Sequence, residues 1–96
     1  MVSIVPNRFK INGVLVSIEN EKDLANFVTL HLQLKKIENI EGPAEFLDPS
    51  TKTLAVSVNQ SLAAGLEEGM SVECEVRKAP NHFFIIPHSL KSAEKG

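Results

Sequence analysis

The nine residues Phe27-Val-Thr-Leu-His-Leu-Gln-Leu-Lys35 constrain this chain more than any other segment. Apolar side chains occupy every second position, and a period of two belongs to a β-strand with one buried face. Val28, Leu30, Leu32 and Leu34 are assigned to the core, and Phe27, Thr29, His31, Gln33 and Lys35 to the outside. A helix would spread those four apolar residues around its circumference and bury none of them well. The chain must therefore be built on β-structure.

The same period recurs on either side. Phe9 to about Ile18 reads as a first strand, in which Phe9 and Ile11 share one parity and Val14, Val16 and Ile18 the other. A core-facing set changes parity only where an extra residue is inserted, and Gly13 at the switch predicts a bulge there. A strand buried on both faces would accept the same residues. Glu19-Asn-Glu-Lys-Asp23 is a polar loop, and Ile40 to Ser50, with Gly42-Pro43 and Asp48-Pro49, is loop-like.

A third strand is expected at Thr53–Val58, with Leu54, Val56 and Val58 inward. Asn59 is placed to cap a short helix over Gln60–Leu66, with Leu62, Ala63 and Leu66 on one side. Gly65 weakens that helix toward a single turn. Met70–Arg77 reads as a fourth strand, with Met70, Val72, Cys74 and Val76 inward. Ala79-Pro-Asn81 turns into a fifth, His82–Ile86, where parity leaves open whether Phe83 and Ile85 or Phe84 and Ile86 face the core. Three strands, a short helix and two strands is the order of the OB-fold, an all-β, five-stranded Greek-key barrel with one short helix. Residues 1–91 are expected to form that single domain, followed by a flexible tail at 92–96.

Composition narrows the function classes. With 43 % hydrophobic and 23 % charged residues, the chain can fill one core, which separates it from disordered sequences. Ten Lys and Arg against twelve Asp and Glu leave a net charge of −2, which excludes a polybasic arm as a grip on a polyanion. No apolar run approaches the ~20 residues of a membrane span, and Met1–Pro6 lacks the basic flank of a signal peptide. One cysteine, Cys74, provides no disulfide framework. A soluble cytoplasmic domain is expected.

Two segments carry a family resemblance. Asn7-Arg-Phe-Lys-Ile-Asn-Gly-Val-Leu15 resembles the opening strand of the bacterial single-stranded DNA-binding proteins, which start Asn-Arg, alternate apolar residues and reach a glycine followed by a hydrophobe. Leu62-Ala-Ala-Gly-Leu-Glu-Glu-Gly-Met-Ser-Val-Glu-Cys-Glu-Val76 resembles the short helix, glycine turn and alternating fourth strand of the same family. In length the chain is similar to primosomal replication protein N and the small phage single-strand binders. It departs from the family in lacking Trp and Tyr, the usual stacking residues alongside Phe, and in lacking a long acidic tail. The resemblance implies single-stranded DNA binding in replication or recombination, or a phage or plasmid accessory role.

Single-strand binding needs cations along the phosphates and flat side chains under the bases. In an OB-fold both belong on strands two and three and on the loops between strands one–two and four–five. The outward row of strand two supplies Phe27, His31 and Lys35, with Lys36 just beyond. The four–five hairpin supplies Arg77, Lys78, His82 and Phe83, while Arg8 and Lys10 have outward parity on strand one and Lys52 enters strand three. Against these stand Glu19, Glu21 and Asp23 in the one–two loop, and Glu73 and Glu75, outward on strand four.

No Ser-His-Asp order, Gly-rich phosphate loop or His-x-x-x-His spacing is present, so neither an enzyme nor a cofactor is expected. His31, His82 and His88 lie in separate elements and Cys74 has core parity, which argues against zinc. The expected function is binding of single-stranded DNA, or RNA, without strong sequence preference. The alternative is a protein-interaction module on the same barrel. A homodimer is expected at the fifth strand or the adjoining hairpin, because the five uncharged residues His82–Ile86 would make a poorly guarded open edge.

Overall fold

The computed structural model describes residues 6–21, 25–79 and 83–93. Its strands are β1 (Arg8–Asn20), β2 (Phe27–Glu41), β3 (Thr53–Asn59), β4 (Ser71–Lys78), β5 (Phe83–Ile85) and β6 (Lys91–Ala93). One helical turn, α1 (Gln60–Ala63), separates β3 from β4. The sheet runs β1-β2-β3-β5-β4, and β4 returns to pair with β1, which closes a five-stranded barrel. The β3–β5 contact is parallel and the other barrel contacts are antiparallel. This order, with the helix between the third and fourth strands, is that of an OB-type barrel.

The alternation in β2 sorts as expected: Val28, Leu30 and Leu32 are buried, and Leu34 packs against the same core. Val56 and Val58 from β3, Val72, Cys74 and Val76 from β4 and Ile85 from β5 complete the interior with Phe9, Ile11 and Leu15.

The first strand corrects the expected change of parity at Gly13. Phe9, Ile11 and Leu15 are all buried, so the first parity continues past the glycine, while Val16 is 51 % exposed. The parity shift in β1 comes three residues later. Leu15 pairs with Leu32 and Ser17 with His31, which leaves Val16 as the inserted residue. Ile18 then lies opposite Leu30, at the open end of the barrel. At the level of Gly13 the extra residue belongs to β2, where Lys35 is skipped between the pairs Gly13–Leu34 and Asn12–Lys36. Gly13 serves a different purpose: a Cβ there would lie 2.4 Å from the Gln33 carbonyl oxygen. The bulged β2 backbone crosses where only glycine leaves room, and that crossing lets β1 serve both halves of the barrel.

β2 also extends well past Lys35, to Glu41, because pairing with β1 continues through segments whose polar side chains hide the strand period. The helix is a single turn. The Asn59 side chain accepts a hydrogen bond from the Ser61 amide at 2.9 Å, and Gly65, at φ +93°, follows where a left-handed residue ends the turn. Ala63 is buried and Leu66 packs on the core, but Leu62 points outward.

Two expectations at the C-terminal end are corrected. β5 is flanked by β3 on one side and β4 on the other, so the fifth strand has no free edge for a dimer. Residues 91–93, which include the start of the expected tail, pair with Ser71–Glu73 as β6. Between β5 and β6 a 3-10 turn (Pro87–Ser89) leaves the ladder, and the Ser89 hydroxyl fills the gap by accepting from the Glu75 amide at 2.9 Å. No helix among the described residues is long and apolar enough to cross a membrane.

Candidate nucleic-acid interface

The outer face of β2, β3 and β5 follows from the same alternation that fills the core. Phe27, Thr29, His31, Gln33 and Lys35 form the outward row of β2. Asn59, Ser57, Ala55 and Thr53 lie opposite the first four across the β3 ladder. Phe84 on β5 pairs with Ser57, and Arg77 on β4 pairs with Phe84. The register thus places Phe27, Thr29, Ser57, Phe84 and Arg77 on neighbouring strands of one surface.

Phe27 and Phe84 meet edge to face, their ring centroids 6.1 Å apart and their planes at 87°. Phe83 has the opposite parity and packs against the core beside buried Ile85, so it is not the outward aromatic residue. Phe84 takes that position. The signal lay in the hairpin register: Arg77 is outward by the alternation of β4, so the β5 residue opposite it must be outward too.

Glu21, just past the end of β1, reaches onto this face. The Glu21 carboxylate accepts a hydrogen bond from the Thr29 hydroxyl at 2.6 Å and one from the Ser57 hydroxyl at 3.4 Å. Its amide donates to the Phe27 carbonyl at 3.1 Å. Burial of Ser57, 3 % exposed, is tolerable because its hydroxyl has this partner. His31 pairs with Glu19. Asp23 and His82 lie outside the described residues.

The cations separate into groups. Arg8 lies 3.3 Å from the Glu75 carboxylate, and Lys10 reaches Glu73 at 4.0 Å, so both are drawn into the β1–β4 surface. This corrects their expected convergence with the β2 row, because Lys10 stands directly across the ladder from Glu75 and diagonal to Glu73, and Arg8 lies just beyond that pairing. Lys35, Lys36 and Lys52 line a depression of about 340 Å³ beside the middle of β2, where the Leu34 amide donates to the Lys52 carbonyl at 2.7 Å. The adjoining loop is set by Asp48, whose carboxylate accepts from both the amide and the hydroxyl of Ser50 at 2.7 Å. Those bonds hold the Asp48 carboxyl below its ordinary value, the hydroxyl contact contributing most. Phe27 and Lys35 are eight positions apart on β2, roughly 25 Å of extended strand.

Arg77 and Lys78 border a second depression of about 490 Å³, together with Asn7, Arg8 and Glu41. The Lys78 ammonium stands 5.5 Å from the Phe46 ring centroid. The Asn7 side chain fixes this end of β4 by accepting from the Lys78 amide at 2.7 Å and donating to its carbonyl at 3.2 Å. Cys74 lies in the core, and burial, aided by the flanking Glu73 and Glu75 charges, pushes its thiol up to about 12. Among the described residues, no three His, Cys, Asp or Glu side chains gather as a metal site. Compared with known proteins, the chain matches no family model, no curated protein and no solved structure.

Proposed function

We propose that this protein binds single-stranded DNA across the outer face of β2, β3 and β5, without strong sequence preference. The observation that supports it best is the half-buried edge-to-face pair Phe27–Phe84 on the barrel's outer surface, with Arg77 on the adjacent strand. Aromatic faces stack on any base, and a guanidinium beside them can meet the phosphate that follows. From that pair the outward row of β2 leads to Lys35, Lys36 and Lys52, which would neutralise phosphates farther along the strand. A cytoplasmic role in replication or recombination, or as a phage or plasmid accessory, is part of the same proposal.

The electrostatics set its expected strength. With Arg8 and Lys10 held by Glu75 and Glu73, five of the expected binding cations remain: Lys35, Lys36, Lys52, Arg77 and Lys78. About three to five phosphate contacts on a single strand correspond to a slope of log K against log salt near −2 to −3.5. A fluorescence-anisotropy titration of labelled oligo-dT at several salt concentrations measures it. Arg77→Ala with Lys78→Ala should weaken binding and flatten the slope, and an unchanged slope would place both residues off the path.

One observation favours the alternative reading, a protein-interaction module. Glu19 and Glu21 stand on the same face and would oppose a phosphate chain. Absence of binding even at low salt would select that alternative.

A further inference from the structure

β2 has a second half that the barrel uses on one side only. From Lys36 to Glu41 it pairs with β1, and among the described residues no backbone hydrogen bond reaches its other edge. Exposed peptide groups on a strand edge recruit another strand or must be guarded against one. Charges are the usual guards, and a guarded edge carries charges that repel a copy of itself. The side chains here, Lys36-Ile-Glu-Asn-Ile-Glu41, do otherwise.

Two copies of one edge strand pair antiparallel about a twofold axis perpendicular to the sheet. That axis keeps each side chain on its own face, so one residue must lie opposite itself. Centring on Glu38 sets two carboxylates against each other. Centring on Asn39 sets Ile37 against Glu41 and Glu38 against Ile40, matching nothing. Centring on Ile37 sets Lys36 against Glu38 of the second copy and, by symmetry, Glu38 against its Lys36. Both side chains are exposed and share the outer face.

The neighbouring strands extend this complementarity. Lys10 lies between Glu75 on β4 and Glu38 on β2, and Asn12 between Glu73 and Lys36. With Ile37 on the axis, one row of outward side chains reads Glu75, Lys10, Glu38, then Lys36, Asn12 and Glu73 of the second copy. Charge alternates along the row up to Asn12, with no like charges adjacent. Opposite charges directly across a ladder stabilise pairing, whereas like charges oppose it.

We infer that this protein forms a homodimer in which the Lys36–Glu38 edges of two β2 strands pair antiparallel about Ile37, joining two barrels through one continuous sheet. The test is a charge exchange read by light scattering at micromolar protein. The wild-type chain should give about twice 10.5 kDa. Lys36→Glu and Glu38→Lys, each alone, should give the monomer mass, because like charges then face each other twice. The double variant, Lys36→Glu with Glu38→Lys, restores opposite charges across the axis and should recover the dimer. Circular dichroism confirms that each variant keeps its fold, which these exposed positions do not support. A monomeric wild-type chain, a single variant of undiminished mass, or a double variant that stays monomeric would each overturn the assignment.

Discussion

The two outer surfaces of this barrel are made by the same alternation and do opposite things with it. On the β1–β4 surface, outward cations stand across from outward glutamates, and Arg8–Glu75 and Lys10–Glu73 neutralise each other. On the β2–β3–β5 surface the outward residues are two phenylalanines, two hydroxyls and an imidazole, with Glu19 and Glu21 among them. Both surfaces rest on one core, so the contrast reflects side-chain choice on a shared backbone. Exposed ion pairs add little stability, about 0–1 kcal/mol each, but they silence charge. Aromatic rings left partly open on a surface cost solubility and are retained where something covers them.

The largest expected perturbation removes both surfaces together. Leu32 is 1 % exposed beneath the centre of β2, and Leu32→Ala should lower stability by about 2–5 kcal/mol. Thermal unfolding followed by circular dichroism should show a much lower midpoint, and a midpoint within a degree or two of wild type would contradict the buried face of β2.

The next change acts at the crossing that joins the surfaces. In Gly13→Ala the new methyl meets the Gln33 carbonyl at 2.4 Å, and two backbones must separate. A loss of about 1–3 kcal/mol is expected in the same assay, since neither backbone can move like a flexible side chain. Full stability would show that the crossing relaxes freely.

A third change should touch only the aromatic surface. Phe84→Leu keeps an apolar side chain against Phe27 but removes the flat ring. Stability should change by less than about 1.5 kcal/mol. Affinity for oligo-dT should fall by about 1–3 kcal/mol if a base stacks there, which is roughly 5- to 150-fold in Kd. Unchanged affinity would remove this ring from the binding path and blunt the contrast between the surfaces.

The smallest effect belongs to the paired surface. Glu73→Gln with Glu75→Gln frees Lys10 and Arg8 and should shift stability by no more than about 1 kcal/mol. The freed cations should tighten oligo-dT binding at low salt and steepen its salt dependence, making the two surfaces more alike. A titration identical to wild type would show that the β1–β4 surface lies beyond reach of a bound strand.

Much of this was legible in the chain. The alternation at Phe27–Lys35, the Asn59 cap, the inward Val72, Cys74 and Val76 and the strand order all follow from local chemistry, because a period of two and a side-chain cap act over a few residues. What the sequence could not set depends on register. The parity change at Val16 rather than Gly13, and the extra residue at Lys35 in β2, are properties of a pair of strands. The exchange of Phe83 for Phe84 on the outer face required the hairpin pairing with Arg77. The commitment of Arg8 and Lys10 to Glu75 and Glu73 required closure of β1 on β4, which brings together residues more than sixty apart in the chain. The sequence by itself determined which residues a strand can bury. Only the tertiary structure decided which outward residues became neighbours, because an outward side chain acquires its partner from the strand beside it.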